Sequence, residues 1–340
     1  WNKGNVELEN GSKILAASTS SSAVRGMSFN IIFLDEFAFV PNHIAEQFFS
    51  SVYPTISSGK STKVIIISTP NGMNMFYKLW HDAERGKNEY TTTEVHWSQV
   101  PGRDAKWKEQ TIANTSQRQF TQEFECEFLG SVDTLIAASK LRTMVYEDPL
   151  ERKNGLDVYE LPIPEHEYVM TVDVSRGVSN DYSAFVVVDI TTIPYKVVAK
   201  YKNNNIKPLL FPNIIHPVAM SYNHAFVLCE VNDIGGQVAD IMQFDLEYDN
   251  LLMCAMRGRA GQIVGQGFSH KSQLGIKMTS TVKKTGCSNL KALIEDDKLL
   301  INDYDIIAEM TTFIQKKQSF EAEEGCNDDL AMCLVIFAWL

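Results

Sequence analysis

Residues 169–174 read Val-Met-Thr-Val-Asp-Val, and the aspartate at 173 decides how the chain is read. A short apolar run bounded by polar residues is the pattern of a strand buried on both faces. Moving outward, Ser183–Ile190 (SAFVVVDI), Tyr195–Tyr201 and Ala225–Glu230 (AFVLCE) repeat the pattern, and the last also ends on an acid. The spacing predicts helices over 236–245, 289–297 and 306–313. A final helix is predicted over 328–340, opening on Asp328-Asp329. Three antiparallel-looking strands, then strands alternating with helices, predict a mixed α/β domain that begins near Tyr168.

A buried carboxylate without a partner costs several kcal/mol, so an acid inside such a strand calls for a metal or a cation. Asp173 sits in the middle of one such strand, and Glu230 ends another. Asp181 follows Asp173 across a Ser-Arg-Gly turn and can fold back beside it. With Asp328 and Asp329 at a helix start, acids from two strands and a helix can converge on one point. Convergent carboxylates around Mg²⁺ or Mn²⁺ are what two-metal phosphodiester hydrolysis requires. The alternatives are plainer: a helix cap for Asp328-Asp329 and a surface turn for Asp181.

The upstream part has its own constellation. Residues 5–19 predict a hairpin around Asn10-Gly11. Ile31–Leu34 is a buried strand closed by Asp35-Glu36, Ala45–Val52 a helix, Lys63–Ser68 a second strand, and Met75–Arg85 a second helix. An apolar run ending in Asp-Glu is Walker-B-like: Asp35 would help hold Mg²⁺ and Glu36 would polarise water, with Ser68-Thr69 placed to sense a γ-phosphate. Two helix caps explain Thr69 well and the adjacent acids less well. The nearest thing to a phosphate-binding loop, Pro54–Ser61, has Pro where the first Gly belongs and leads into a strand, so it is expected to be a turn. The chain, opening on Trp1, reads as a fragment lacking an upstream portion, and alone it is expected not to hydrolyse ATP.

The chain has 340 residues with 31 Lys+Arg against 42 Asp+Glu, a net charge of −11, and 44% hydrophobic residues, which excludes a disordered, collagenous or coiled-coil chain. No apolar run reaches the roughly 18 residues of a membrane span, and no secretory leader is seen. Cysteines without a C-x-x-C pair argue against zinc and fit a reducing cytosol. The charge is unevenly spread. Arg257–Lys291 carries Lys and Arg and no acid, whereas Glu295–Asp329 is dominated by acids. Arg257, Arg259, Lys271, Lys277, Lys283 and Lys284, among several glycines, predict a confined phosphate contact rather than only a solvated loop.

These strings together resemble the large terminase subunit of tailed bacteriophages, of the contractile-tailed myovirus type. They are Ala23–Gly26 before IIFLDEFAFVPN, then ISTPNGMNMFYKLW, TVDVSRGVSNDYSA, VLCEVNDIGGQVA, TGCSNLKALIEDDKLLI and EEGCNDDLAMCLVIFAWL. The resemblance covers nearly the whole chain. It implies a partial P-loop (ASCE-type) ATPase segment followed by an RNase H-like mixed α/β nuclease domain. The expected boundaries are 1–103 for the ATPase part, 104–164 for a helical subdomain and linker, and 165–340 for the nuclease. By matching position it puts Asp35 at Walker B, Glu36 as catalytic glutamate, Ser68-Thr69 in the coupling motif and Arg25 in a V-R-G string. Asp173, Glu230 and Asp329 match the nuclease triad, with Asp181 and Asp328 as acidic neighbours. Asn327 stands where the family often has His.

The resemblance further implies double-stranded DNA as substrate, cut as a concatemer, and ATP-driven translocation into a prohead by the full-length protein. Implied partners are the portal and prohead, the small terminase subunit and further copies in a ring. The implied location is the host bacterial cytoplasm at the portal vertex, with no membrane. Two other readings are a non-cutting module that docks on DNA or portal, and another RNase H-like enzyme such as a resolvase or transposase. Asp35-Glu36 and ISTPNG argue against the last.

Overall fold

The computed structural model describes residues 4–19, 27–58, 62–128, 133–176, 181–255, 272–317 and 319–340. Two compact units divide between Gly130 and Ser131.

In the first unit, β1 (Asn5–Glu7) and β2 (Lys13–Leu15) form an antiparallel hairpin, with Gly11 at φ 81° supplying the turn. β3 (Ile31–Leu34) pairs in parallel with β4 (Lys63–Ile66), and α1 (Asn42–Ser58) connects them. Parallel strands need such a crossover, and here a helix supplies it. α1 corrects the expected turn at Pro54–Ser61. A proline inside a helix forfeits one backbone bond, yet the helix runs past Pro54 to Ser58, and residues 59–61 lie outside the described set. α2 (Met75–Glu84) is capped by Asn74, which accepts from the amides of Phe76 and Tyr77. α3 (Ala105–Asn114) and α4 (Gln117–Glu123) start on Asp104 and Ser116 caps.

The second unit opens with α5 (Ala138–Thr143) and a hairpin of β5 (Glu151–Lys153) and β6 (Leu156–Val158). Of the segment 104–164, expected as a helical subdomain and linker, α3 and α4 fall in the first unit and α5, β5 and β6 in the second, where β5 and β6 join the main sheet. That sheet runs β10-β7-β8-β9-β6-β5, with β7 (Tyr168–Asp173), β8 (Ser183–Asp189), β9 (Tyr195–Asn203) and β10 (Phe226–Cys229). β7, β8 and β9 are antiparallel neighbours, and β10 lies parallel to β7. Every residue of β8 is buried, as befits a strand covered on both faces.

Side chains alternate across the sheet, so the two faces have different partners. Met170, Val172, Phe185 and Val187 pack with Phe211 and with Ile215 of α6 (Pro212–Ser221), and with Val238 of α7 (Gly235–Asp240). On the other face, Thr171 donates to the carbonyl of Cys333 (2.8 Å) in α10 (Asp329–Trp339). α10 is buried from Asp329 to Ala338, which is why it is apolar all round. It packs on α8 (Ser280–Glu295), where a Cβ at Gly286 would collide with the Val335 backbone. β11 (Met253–Ala255) pairs with β12 (Ser272–Leu274), and β13 (Leu299–Leu300) with β9. α9 (Tyr304–Thr312) leads into the hairpin of β14 (Phe313–Lys316) and β15 (Ser319–Ala322). Among the described residues no helix is long and apolar enough to cross a membrane.

Candidate functional site

Asp173 closes β7, and its neighbour across the parallel pair is the end of β10. The Glu230 amide donates to the Val172 carbonyl (2.9 Å), which sets Glu230 beside Asp173 at the same sheet end. Gly235 follows closely because a Cβ there would strike the Glu230 carbonyl. Asp328 and Asp329 enter from the start of α10. Asp329 is 9% exposed; its Oδ1 accepts from the Tyr182 amide (3.2 Å), while its Oδ2 is buried with no hydrogen-bond partner among the described residues. Asp328 Oδ2 accepts from the Ala322 amide (3.2 Å) at the end of β15.

These acids repel one another. Burial, then the charges of Glu230, Asp329, Asp328 and Glu309, push the Asp173 carboxyl well above the ordinary range. Burial lifts Glu230 to about 7 against the opposing charge of Lys283. Burial and the Glu309 charge lift Asp329 to about 7, opposed by Lys202 and the Tyr182 amide. Burial raises Asp328 as well, with Lys283 opposing. Such a set favours a divalent cation: hard oxygen donors, an unpartnered buried oxygen and excess negative charge converge.

A sign follows for stability. Glu230 and Asp329 hold protons in the fold where the unfolded chain has lost them. The metal-free protein is thus expected to lose stability as pH rises from about 4 to 7. Unfolding in EDTA at about pH 5.5 and about pH 8 checks this: the melting temperature should fall with pH, and added Mn²⁺ should recover it.

A tighter acidic group lies elsewhere. One carboxylate oxygen each from Asp157, Asp303 and Asp305 lie within 4.8 Å of one another, and among the described residues no other three acids gather so closely. Lys200 already fills that centre. It stands directly across from Asp157 in the β6–β9 pairing, with Nζ 3.2 Å from Asp157 and 3.6 Å from Asp303, and it also bonds Asp305. Tyr159 donates to Asp303 (2.5 Å). This is an ionic core held by Lys200 and, at Asp157, by Arg152 (2.9 Å), whereas among the described residues no lysine forms an ion pair with the Asp173 group. A cleft of 490 Å³ lined by Val169, Tyr195, Leu293 and Phe337 opens at the other end of β7 and carries none of these acids.

The remaining sequence-derived residues fall into three sets. Lys283, in the first turns of α8, acts on Glu230 and Asp328 and lies over the Phe313 ring (5.7 Å). Lys277 and Lys284 are exposed, and Lys277 follows Ile276, whose backbone bridges to Glu230. Asp181 is exposed: its carbonyl accepts from the Ser175 hydroxyl (3.1 Å), so its backbone, rather than a buried carboxylate, meets the β7 end. Arg25, Arg257, Arg259 and Lys271 lie outside the described residues. In the first unit, Asp35-Glu36 and Ser68-Thr69 follow paired parallel strands. Glu36 adopts φ 50°, and the Ala38 amide donates to Ser68 Oγ (3.1 Å), tying the two strand ends together. Residues that sequence reasoning missed are Lys202 and Glu309, joined at 2.6 Å beside Asp329.

An antiparallel three-strand meander, a fourth strand parallel to the first, and acids at the first strand end, the fourth strand end and a helix start define an RNase H-like domain. Two family models match. "Terminase large subunit, T4likevirus-type, N-terminal" covers residues 1–143, and "Terminase RNaseH-like domain" covers residues 170–338. The chain belongs to the terminase large subunit family. It is 24% identical to the terminase large subunit of Thermus virus P23-45, the match covering 92% of this chain and 62% of that protein. The large subunit of Thermus phage G20c is 23% identical over the same shares. The chain thus spans about three-fifths of the length of these relatives. The G20c large terminase nuclease, crystallised with bound magnesium, is 21% identical with TM-score 0.46, covering 62% of this chain and 97% of that one. The HK97 bacteriophage large terminase is 10% identical with TM-score 0.41, covering 98% and 74%.

Proposed function

We propose that the second unit is a divalent-metal-dependent endonuclease that cuts double-stranded DNA during viral DNA packaging. The observation that carries this reading is the convergence of half-buried Asp173 and Glu230 with buried Asp329: the charges of Glu230 and Asp329 oppose ionised Asp173, and one Asp329 oxygen has no hydrogen-bond partner among the described residues. Asp173, Glu230 and Asp329 would hold the metal, with Asp328 adjoining. A pair of Mg²⁺ or Mn²⁺ ions held there would activate water and stabilise the leaving oxygen of the phosphodiester.

The chain's own groups divide the remaining work. The Tyr182 amide fixes one oxygen of Asp329, and the other is buried with no hydrogen-bond partner among the described residues. Lys283 offsets the negative field that would otherwise repel a DNA phosphate, and Lys277 and Lys284 extend the positive rim. In the first unit, Asp35 and Glu36 would serve Mg²⁺ and water beside ATP, with Ser68-Thr69 coupling, in the whole protein. Portal, prohead, small subunit and a ring of copies belong to that same proposal.

The test is nicking of supercoiled plasmid by the 340-residue chain in Mg²⁺, Mn²⁺ or EDTA. Cutting with metal and none in EDTA supports the reading. Duplex binding without cutting in either metal would establish the non-cutting module instead. The lysines carry their own expectation. Changing Lys277, Lys283 and Lys284 to Ala should weaken binding alike for every duplex sequence, flattening the log–log salt slope by about 0.9 per lost phosphate contact. An unchanged slope would place the DNA on another face.

A further inference from the structure

We propose that Glu309 and Lys202, neither of them among the candidate metal ligands, are positioning residues for the Asp329 carboxylate; this rests on the nuclease reading above. Asp173 stands opposite Ala184, and Ala184 opposite Lys202, so the three occupy one row on one face of β7, β8 and β9. Ala184 is the small residue between an acid and a cation. Lys202 does not complete the row by reaching toward the acids; Glu309 of α9 holds it at 2.6 Å.

Two lines run from this pair to Asp329. Glu309 uses its second oxygen to accept the Ala331 amide (2.9 Å), a donor in the first turn of the helix that Asp329 opens. Helix-start amides have no partner within the helix, so this bond fixes the start of α10 from outside. Lys202 lies 4.5 Å over the Tyr182 ring, and the Tyr182 amide is the donor that holds Asp329 Oδ1. Both lines end on one carboxylate, whose other oxygen is the buried atom without a partner. Glu309 is 6% exposed and hydrogen-bonded through both oxygens, so it is committed to this task.

The pair also performs a separation. Without the Glu309 charge, the Lys202 ammonium would face Asp305, which Lys200 already bonds, and Asp329, where it would compete with a metal for the carboxylate. Glu309 therefore anchors the helix start and keeps a resident cation out of the acid cluster.

The experiment is Mn²⁺ titration calorimetry on the 340-residue chain, with melting temperatures recorded for every variant. Glu309→Gln keeps an acceptor for Ala331 and releases Lys202; Mn²⁺ affinity should fall about tenfold or more, the usual size for an outer-shell change. Adding Lys202→Met to Glu309→Gln should restore it in part: the released ammonium is gone, and its contact with the Tyr182 ring goes with it. Lys202→Met with Glu309→Leu is equally neutral but has no acceptor for the Ala331 amide, so its affinity should stay about tenfold low. The two neutral pairs settle the matter even where the single variant fails to fold. Equal affinity in both pairs, whatever their melting temperatures, would make Glu309 and Lys202 a merely structural ion pair and overturn the inference. Absence of Mn²⁺ binding by the unaltered chain would instead sink the nuclease reading, and this inference with it.

Discussion

Asp173→Asn is expected to abolish metal-dependent plasmid cutting without unfolding the domain. The change is isosteric and removes one anionic oxygen from a site that needs its charge. Loss of at least about a hundredfold in rate corresponds to only about 2.7 kcal/mol of transition-state stabilisation. The fold should respond in the opposite direction. Ionised Asp173 is opposed by burial and by the charges of Glu230, Asp329, Asp328 and Glu309. Its neutral replacement relieves that repulsion, so the metal-free melting temperature at about pH 8 should hold or rise. Cutting at the unaltered rate would remove Asp173 from the site. Lost cutting with a collapsed melting temperature would show that Asp173 serves the fold rather than the reaction.

Lys200→Met should have the largest effect on stability. Lys200 is 4% exposed at its side chain, and Asp157 and Asp303 beside it are 7% and 2% exposed. Removing the ammonium leaves buried carboxylates with no central cation. Breaking one side of a buried ion pair costs about 3–5 kcal/mol, or roughly 6–20 °C in melting temperature for a unit of this size. Burial already raises the Asp303 carboxyl with Lys200 opposing, so the variant should take up a proton there on folding. Asp303 also caps α9 through the Ile306 amide (2.7 Å), so the loss should spread to that helix. Urea and thermal unfolding measure it. A change below about 1 kcal/mol would mean that water reaches the centre and that the acids are not held dry.

Much of this architecture was legible because apolar runs in a parallel or central strand have few other readings. The strands expected at 169–174 and 225–230 are observed at Tyr168–Asp173 and Phe226–Cys229, and the helix expected over 328–340 at Asp329–Trp339. Other elements were less visible for identifiable reasons. α8 begins at Ser280 rather than near 289 because its first turns read Ser-Thr-Val-Lys-Lys-Thr, polar and β-branched; the Thr279 cap, accepting from Val282, was its available signal. The β5–β6 hairpin is charged, yet Asn154-Gly155 sits at its turn with φ of 50° and 91°, a turn signal within the residues given to a linker. α6 was obscured by Pro212 and Pro217, one at its first turn and one inside it.

Apolar patterning along the chain is enough to show which acids stand on apolar strands, and so that Asp173 and Glu230 need an electrostatic answer. It could not determine which cation answers which acid. Lys200 and Lys202 look like the polar positions of an ordinary alternating strand. Their role depends on α9 crossing that strand. Two strand residues rise about 6.6 Å and four helix residues about 6 Å, so Asp305 and Glu309 meet Lys200 and Lys202 in step. Those pairings are long-range, fixed by packing and invisible to local pattern. They give Asp157, Asp303, Asp305 and Glu309 a cation, whereas Asp173, Glu230 and Asp329 form no ion pair among the described residues. Coulomb energy depends on distance in space, and only the tertiary fold sets those distances.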